Sequence, residues 1–115
     1  MEVKLNTILK DLDGKDIIFT QGVPATKDTK EVPAVYATVG KMTIEALMAT
    51  YKDEENLSGE DKLKRWQLAV RVKNSSATGT IQMTAEEVSL VKKLIGKAYG
   101  IMIVGQVWEL LEGAK

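Results

Sequence analysis

Apolar and polar positions along this chain follow two different periods, and the change comes at Gly40. Before it the step is two: Val3, Leu5, Thr7 and Leu9 alternate with Lys4, Asn6 and Lys10, with Ile8 out of phase. A step of two is the period of a strand that buries one face. Asp13-Gly14 is the pair favoured in two-residue type I′ hairpin turns, because Gly accepts a positive φ. Ile17-Ile18-Phe19 then reads as the return strand. The stretch Gly22-Val23-Pro24-Ala25-Thr26-Lys27-Asp28-Thr29-Lys30 is polar and aperiodic, which predicts an exposed, mobile loop. Pro33 argues against a central strand nearby, and Val35, Ala37 and Val39 alternate with Tyr36 and Thr38 as a short strand leading into Gly40.

After Gly40 the step becomes three to four. Ile44, Leu47, Met48 and Tyr51 mark one face of a helix over about residues 42–51. A polar break follows, and Ser58 with Asp61 three residues on resembles an N-terminal capping box. The next helix, 59–73, carries Leu63, Trp66, Ala69 and Val70 on its apolar face, with Lys62, Lys64 and Arg65 outside it. Asn74-Ser75-Ser76-Ala77-Thr78-Gly79 is rich in turn formers, and Thr80-Ile81-Gln82-Met83 is a short candidate strand. Thr84-Ala85-Glu86-Glu87 is a full capping box for a helix over 85–99 that places Val88, Val91, Leu94, Ile95 and Ala98 on one side. A last helix, 101–112, is followed by Gly113, a residue suited to end it. The whole reads as one α+β domain over 1–115: an N-terminal β-hairpin or small antiparallel sheet packed with about four helices, the C-terminal half mainly helical.

Composition narrows what such a domain does. Sixteen basic and sixteen acidic residues cancel over 115 positions, whereas nucleic-acid affinity draws on a basic excess or stripe. The basic run Lys62, Lys64, Arg65, Arg71 and Lys73 is interleaved with Glu60 and Asp61 and reads as a solvated helix face, so nucleic acid is not the expected partner. With no Cys and no His, disulfides and thiolate or imidazole zinc sites are excluded. The first residues lack the apolar core of a signal peptide, and Ile101-Met102-Ile103-Val104 is too short to span a bilayer. The expected setting is cytoplasmic, without membrane association.

The remaining candidates for chemistry are weak. Asp11-Leu12-Asp13-Gly14-Lys15-Asp16 meets neither the Gly position nor the late Glu of a calcium loop, and reads better as a turn. Asp53, Glu54, Glu55, Glu60 and Asp61 read as a solvated acidic cap rather than an acid–base pair. Nucleophilic catalysis lacks its usual base, and the glycines between Gly96 and Gly105 match no phosphate-binding spacing. The expectation is a non-enzymatic protein with no cofactor and no metal.

Trp66, Trp108 and Tyr99 are the largest side chains available to anchor a core. Trp108 belongs to the last helix, which is apolar around nearly its whole circumference, and such a helix must be covered on most sides. In so small a domain a strip involving Met102, Val107, Trp108 and Leu110 is the expected protein interface, with self or a second protein as the partner.

The segment Asn56-Leu57-Ser58-Gly59-Glu60-Asp61-Lys62-Leu63-Lys64-Arg65-Trp66 resembles small proteins encoded in tailed-bacteriophage and prophage genomes. Met83-Thr84-Ala85-Glu86-Glu87 and the ending Val104-Gly105-Gln106-Val107-Trp108-Glu109-Leu110-Leu111-Glu112 add to the resemblance, which covers about two thirds of the chain. It carries no catalytic motif. It implies phage assembly or host takeover inside a bacterial cell, with another phage protein or a second copy as partner and possible association with the virion. On this reading the chain is a structural or assembly accessory component. The alternative is a nucleic-acid-binding regulator that uses the basic face of the 59–73 helix.

Overall fold

Residues 2 to 10 form the seam around which the chain is assembled. The computed structural model describes residues 2–20, 26–27, 30–31, 33–54 and 56–112. The strands are β1 (Glu2–Lys4), β2 (Ile18–Thr20), β3 (Val35–Tyr36) and β4 (Thr80–Gln82), and the helices are α1 (Val39–Met48), α2 (Gly59–Ser75), α3 (Ala85–Ala98) and α4 (Ile101–Glu112). A single 3₁₀ turn, Lys52–Glu54, lies between α1 and α2. This is an α+β architecture, with two small antiparallel sheets and four helices among the described residues.

The alternating segment at the N-terminus divides its hydrogen bonds between two partners. Its first part is β1, which pairs antiparallel with β4 in the register Val3↔Ile81, and the Leu5 amide continues the ladder to the Gly79 carbonyl at 2.7 Å. Its second part turns to the chain before α1. The Val39 amide donates to the Thr7 carbonyl, the Gly40 amide to Leu5 and the Leu9 amide to Ala37. The expected return strand is real but displaced: the Ile17 amide reaches Leu9, while β2 pairs with β3 through a bulge. A strand whose amides are shared in this way joins residues some 70 positions apart, and its inward residues Val3, Leu5 and Leu9 are buried.

The turn at Asp13-Gly14 differs from the two-residue expectation. The Gly14 amide donates to the Asp11 carbonyl, the Asp11 amide to the Lys15 carbonyl, and Gly14 has φ +81°. This is a three-residue loop ending in a left-handed Gly, the next commonest hairpin connection. The Asp11 carboxylate accepts the amides of Asp13 and Lys15, an Asx turn that the two-residue reading overlooked. Gly79 is the second position with a positive φ, +83°, and a Cβ there would lie 2.8 Å from the Asn6 amide nitrogen. Only Gly lets α2 turn into β4 so close to the seam.

Helix starts are set by side chains as the sequence implies. Thr38 caps α1, beginning it three residues before the apolar period does, and Ser58 caps α2 by accepting the Asp61 amide. At α3 the box is complete: Thr84 Oγ1 accepts the Glu87 amide at 3.1 Å, and Glu87 accepts the Thr84 amide at 2.9 Å. α2 and α3 both pack on α1, and α4 packs on α3 and reaches β1. The expected mobile loop lies outside the described residues apart from Thr26, Lys27 and Lys30, as does the helix-ending Gly113.

Thr84→Ala removes one capping acceptor from the first turn of α3 and is expected to lower stability by about 1 kcal/mol in urea melts. Ser58→Ala, whose Asp61 does not reach back, is expected to cost no more than that.

Candidate functional site

On α2 two apolar stripes compete for the core. At about 100° per residue, Leu63, Trp66 and Val70 share one stripe, while Leu68, Ala69 and Val72 share another with Arg65 in its midst. The structure buries the second. Leu68, Ala69, Val72 and Arg65 face inward, and Trp66 and Leu63 are each 53% exposed. The expectation that Leu63, Trp66 and Val70 face the core is therefore corrected, and so is the placing of Arg65 among solvated bases. The helix is turned by roughly a third of a revolution from that reading, with Ala69 common to both faces.

The reason is the partner that Arg65 finds. Its guanidinium grips Glu54 in a two-pronged pair, Nη1 to Oε1 at 2.9 Å and Nη2 to Oε2, with side chains only 9% and 11% exposed. Fork-on-carboxylate geometry satisfies both groups as they leave water. Lys97 stands 3.7 Å from Glu54 and pairs with Asp53 at 2.9 Å. Tyr51 lies beneath, its hydroxyl donating to the Ala46 carbonyl at 2.7 Å. The hydrogen bond from Arg65 holds the Glu54 carboxyl below its ordinary range, and the one from Lys97 does the same for Asp53. Burial pushes the Tyr51 phenol up. The acidic stretch is thus not wholly a solvated cap: Glu54 is a structural ion partner, while Glu60 and Asp61 are exposed and Glu55 lies outside the described residues.

The outward stripe of α2 forms a ridge with a groove on each side. One groove lies against the end of α1 and the connection beyond it, and includes Leu47, Met48, Leu57, Trp66, Lys52 and Lys62. The other lies against the start of α3, with Trp66, Val70, Lys64, Arg71, Glu86 and Leu90. Met48 is 51% exposed and extends the apolar surface across the first groove. Arg71 is engaged by Glu87 and the Gln82 carbonyl. Ile18, Phe19, Val35 and Tyr36 of the paired strands β2 and β3 are also exposed.

The interface expected on α4 is not assembled as a strip. Val107 is fully buried, a correction that follows from α4 packing on α3 with Val107 and Leu111 turned inward. Trp108 is half-buried: its indole N–H donates to the Lys92 carbonyl at 3.0 Å, and the Lys92 ammonium sits 4.8 Å from the ring centroid. Met102 and Leu110 are exposed, but at about 100° per residue the position between them is the polar Gln106. The helix is covered further by the seam. Gln106 exchanges two hydrogen bonds with the Lys10 backbone, at 2.8 and 2.6 Å. The sequence shows that α4 needs covering, and the N-terminal segment does much of that work.

Among the described residues no three carboxylates converge as a metal site, no buried side-chain N or O lacks a partner, and no helix is long and apolar enough to cross a membrane. Comparison with protein-family models, with curated proteins and with solved structures finds no match to this chain.

Two predictions follow from this geometry. Arg65→Met leaves Glu54 buried without its fork and is expected to cost about 3 kcal/mol at pH 7, while adding Glu54→Leu restores most of the loss. Because the folded Glu54 value is lowered, the pair contributes fully above the unfolded carboxyl value of about 4.3 and is lost as pH falls through the folded one. Urea melts from pH 7 to pH 3 should therefore show a steeper acid loss for wild type than for the double variant. On α4, Leu111→Ala is expected to cost about 3 kcal/mol. Met102→Glu should stay within about 0.5 kcal/mol of wild type, in the same assay.

Proposed function

We infer that this chain is a non-enzymatic protein that acts through protein–protein contact, in the phage or prophage setting that its sequence resembles. There it would serve as a structural or assembly accessory component in the host cytoplasm or on the virion. The observation that carries the reading is the α2 ridge, where Leu63, Trp66 and Val70 stand exposed in a row beside Met48. Single exposed apolar side chains are ordinary, but adjoining ones rimmed by polar groups mark contact sites. A half-exposed Trp is also the side chain most often found to dominate a protein interface.

The second reading is a nucleic-acid-binding regulator, favoured by Lys62, Lys64 and Lys73 beside an aromatic ring. It is the weaker of the two. Arg65 and Arg71, the guanidinium groups of this helix, are both engaged by glutamates of the chain itself, and the net charge is zero.

Affinity enrichment from cells carrying the chain in its native setting, wild type against Trp66→Glu, tests the contact. A partner protein held by wild type and depleted at least tenfold by the equally folded variant is the expected outcome. A gel shift on single- and double-stranded DNA that weakens steeply with salt, with no such partner, would move the assignment to the second reading.

A further inference from the structure

We propose that the occupant of the α2 ridge is an amphipathic helix of another protein with acidic residues flanking its apolar stripe. The proposal deepens the protein-contact reading and rests on it.

The shape comes first. A raised row of side chains at i, i+3 and i+7 with a groove on either side is the surface onto which a second helix packs, ridge into groove. Trp66 stands between the two grooves and lines both. A partner helix that straddles it would bury Leu63, Trp66, Val70 and Met48 together.

Charge selects the partner. At about 100° per residue, Lys62 and Lys73 flank the ridge on the Trp66 side, and Lys64 and Arg71 flank it on the other. All four are exposed, and Lys52 stands at the far rim of the first groove. Among the described residues Lys52, Lys62, Lys64 and Lys73 form no ion pair, whereas Arg71 is held by Glu87. Acidic groups do approach this surface: Glu86 and Glu87 line the second groove and Glu54 the first, and Glu60 and Asp61 lie in the first turn of α2. Glu87 and Glu54, however, are answered by Arg71 and Arg65. Lys62 and Lys64 border the start of the ridge on its two sides and Lys73 borders its end, with Arg71 opposite it held by Glu87. Carboxylates on a docking helix would meet them there, which sets orientation and speeds encounter.

The same charges oppose a second copy. In an antiparallel two-fold pairing centred on the ridge, each flank meets its own flank in reverse order, so Lys62 faces Lys73 of the copy. In a parallel pairing opposite flanks meet at the same level, so Lys62 faces Lys64. Either arrangement brings like charges together as the apolar surface closes.

The test uses the full chain. A library of randomised 16-residue peptides is selected on immobilised wild type, with Trp66→Ala as counter-selection and far-UV circular dichroism confirming that the variants fold. The expected result is enrichment of peptides with apolar residues at i, i+3 or i+4 and i+7 and with Glu or Asp on the flanks. The synthesised consensus peptide should bind wild type at least tenfold more tightly than either Trp66→Ala or the Lys62→Glu/Lys64→Glu double variant. Trp66-dependent peptides that are neutral or basic would overturn the acidic partner while leaving the protein-contact reading intact. Absence of any Trp66-dependent peptide, together with salt-sensitive binding of a 20-nucleotide single strand, would overturn both. Sedimentation of wild type as a dimer that Trp66→Glu converts to a folded monomer would overturn the proposal in favour of a second copy.

Discussion

The fork between Arg65 and Glu54 decides which way α2 faces, and with it what the molecule shows to solvent. A guanidinium on the inner side of a helix is costly unless its charge is answered in place. Here the answering carboxylate comes from the 3₁₀ turn that joins α1 to α2, eleven residues earlier in the chain. The pair therefore fixes the connection and the helix rotation together. With Arg65 inward, Leu68, Ala69 and Val72 follow it into the core, and Leu63, Trp66 and Val70 have nowhere to go but outward. Lys97 from α3 leans on the same turn through Asp53 and Glu54. Three elements thus share one electrostatic joint.

The seam supplies the other constraint. Val3, Leu5 and Leu9 are buried as a strand pattern requires, but β1 finds its partner in β4, across most of the chain. Such non-local pairing is what lets a short strand matter: it brings the α2–α3 connection against the segment that enters α1. The buried Gly79 shows how close that approach is, since a methyl group there would meet the Asn6 side chain. Gln106 ties α4 to the same segment at Lys10. The last helix is sheltered by the first residues.

What was legible in the sequence is what local chemistry determines. The Thr84 box, the Ser58 cap, the inward face of α3 and the strand character of the first residues all follow from side chains acting within a few positions of themselves. The face expected of α1 is corrected: Met42, Thr43 and Ala46 are buried with Leu47, and Met48 is exposed. The misses share a cause as well. Nothing near Arg65 in sequence says that Glu54 will come round to meet it, so the apolar period on α2 was resolved in favour of the stripe without a charge. The all-round apolarity of α4 signals a need for cover, but not that α3 takes Val107 and Leu111 inward while the first residues close over it at Lys10. Val107, expected at a surface, belongs to the core. The Asp11 side chain, which reshapes the first turn, was a local signal within reach: an Asp two residues before another amide donor is an Asx turn.

The candidate site is a consequence of the same joint. Had Trp66 packed inward, the outer side of α2 would have carried Arg65, Leu68 and Val72 in its place, a different surface altogether. Because an internal ion pair claims the inner face, the chain keeps its largest exposed aromatic beside unpaired lysines, and the apolar area stays in water until something covers it. Exposed apolar surface of this kind contributes favourably only on burial, at about 25 cal/mol per Å². The residues that hold the fold together thereby also set what it exposes. Glu54 and Arg65 line the floor of the first groove, and their pairing leaves Trp66 on the outer side of α2.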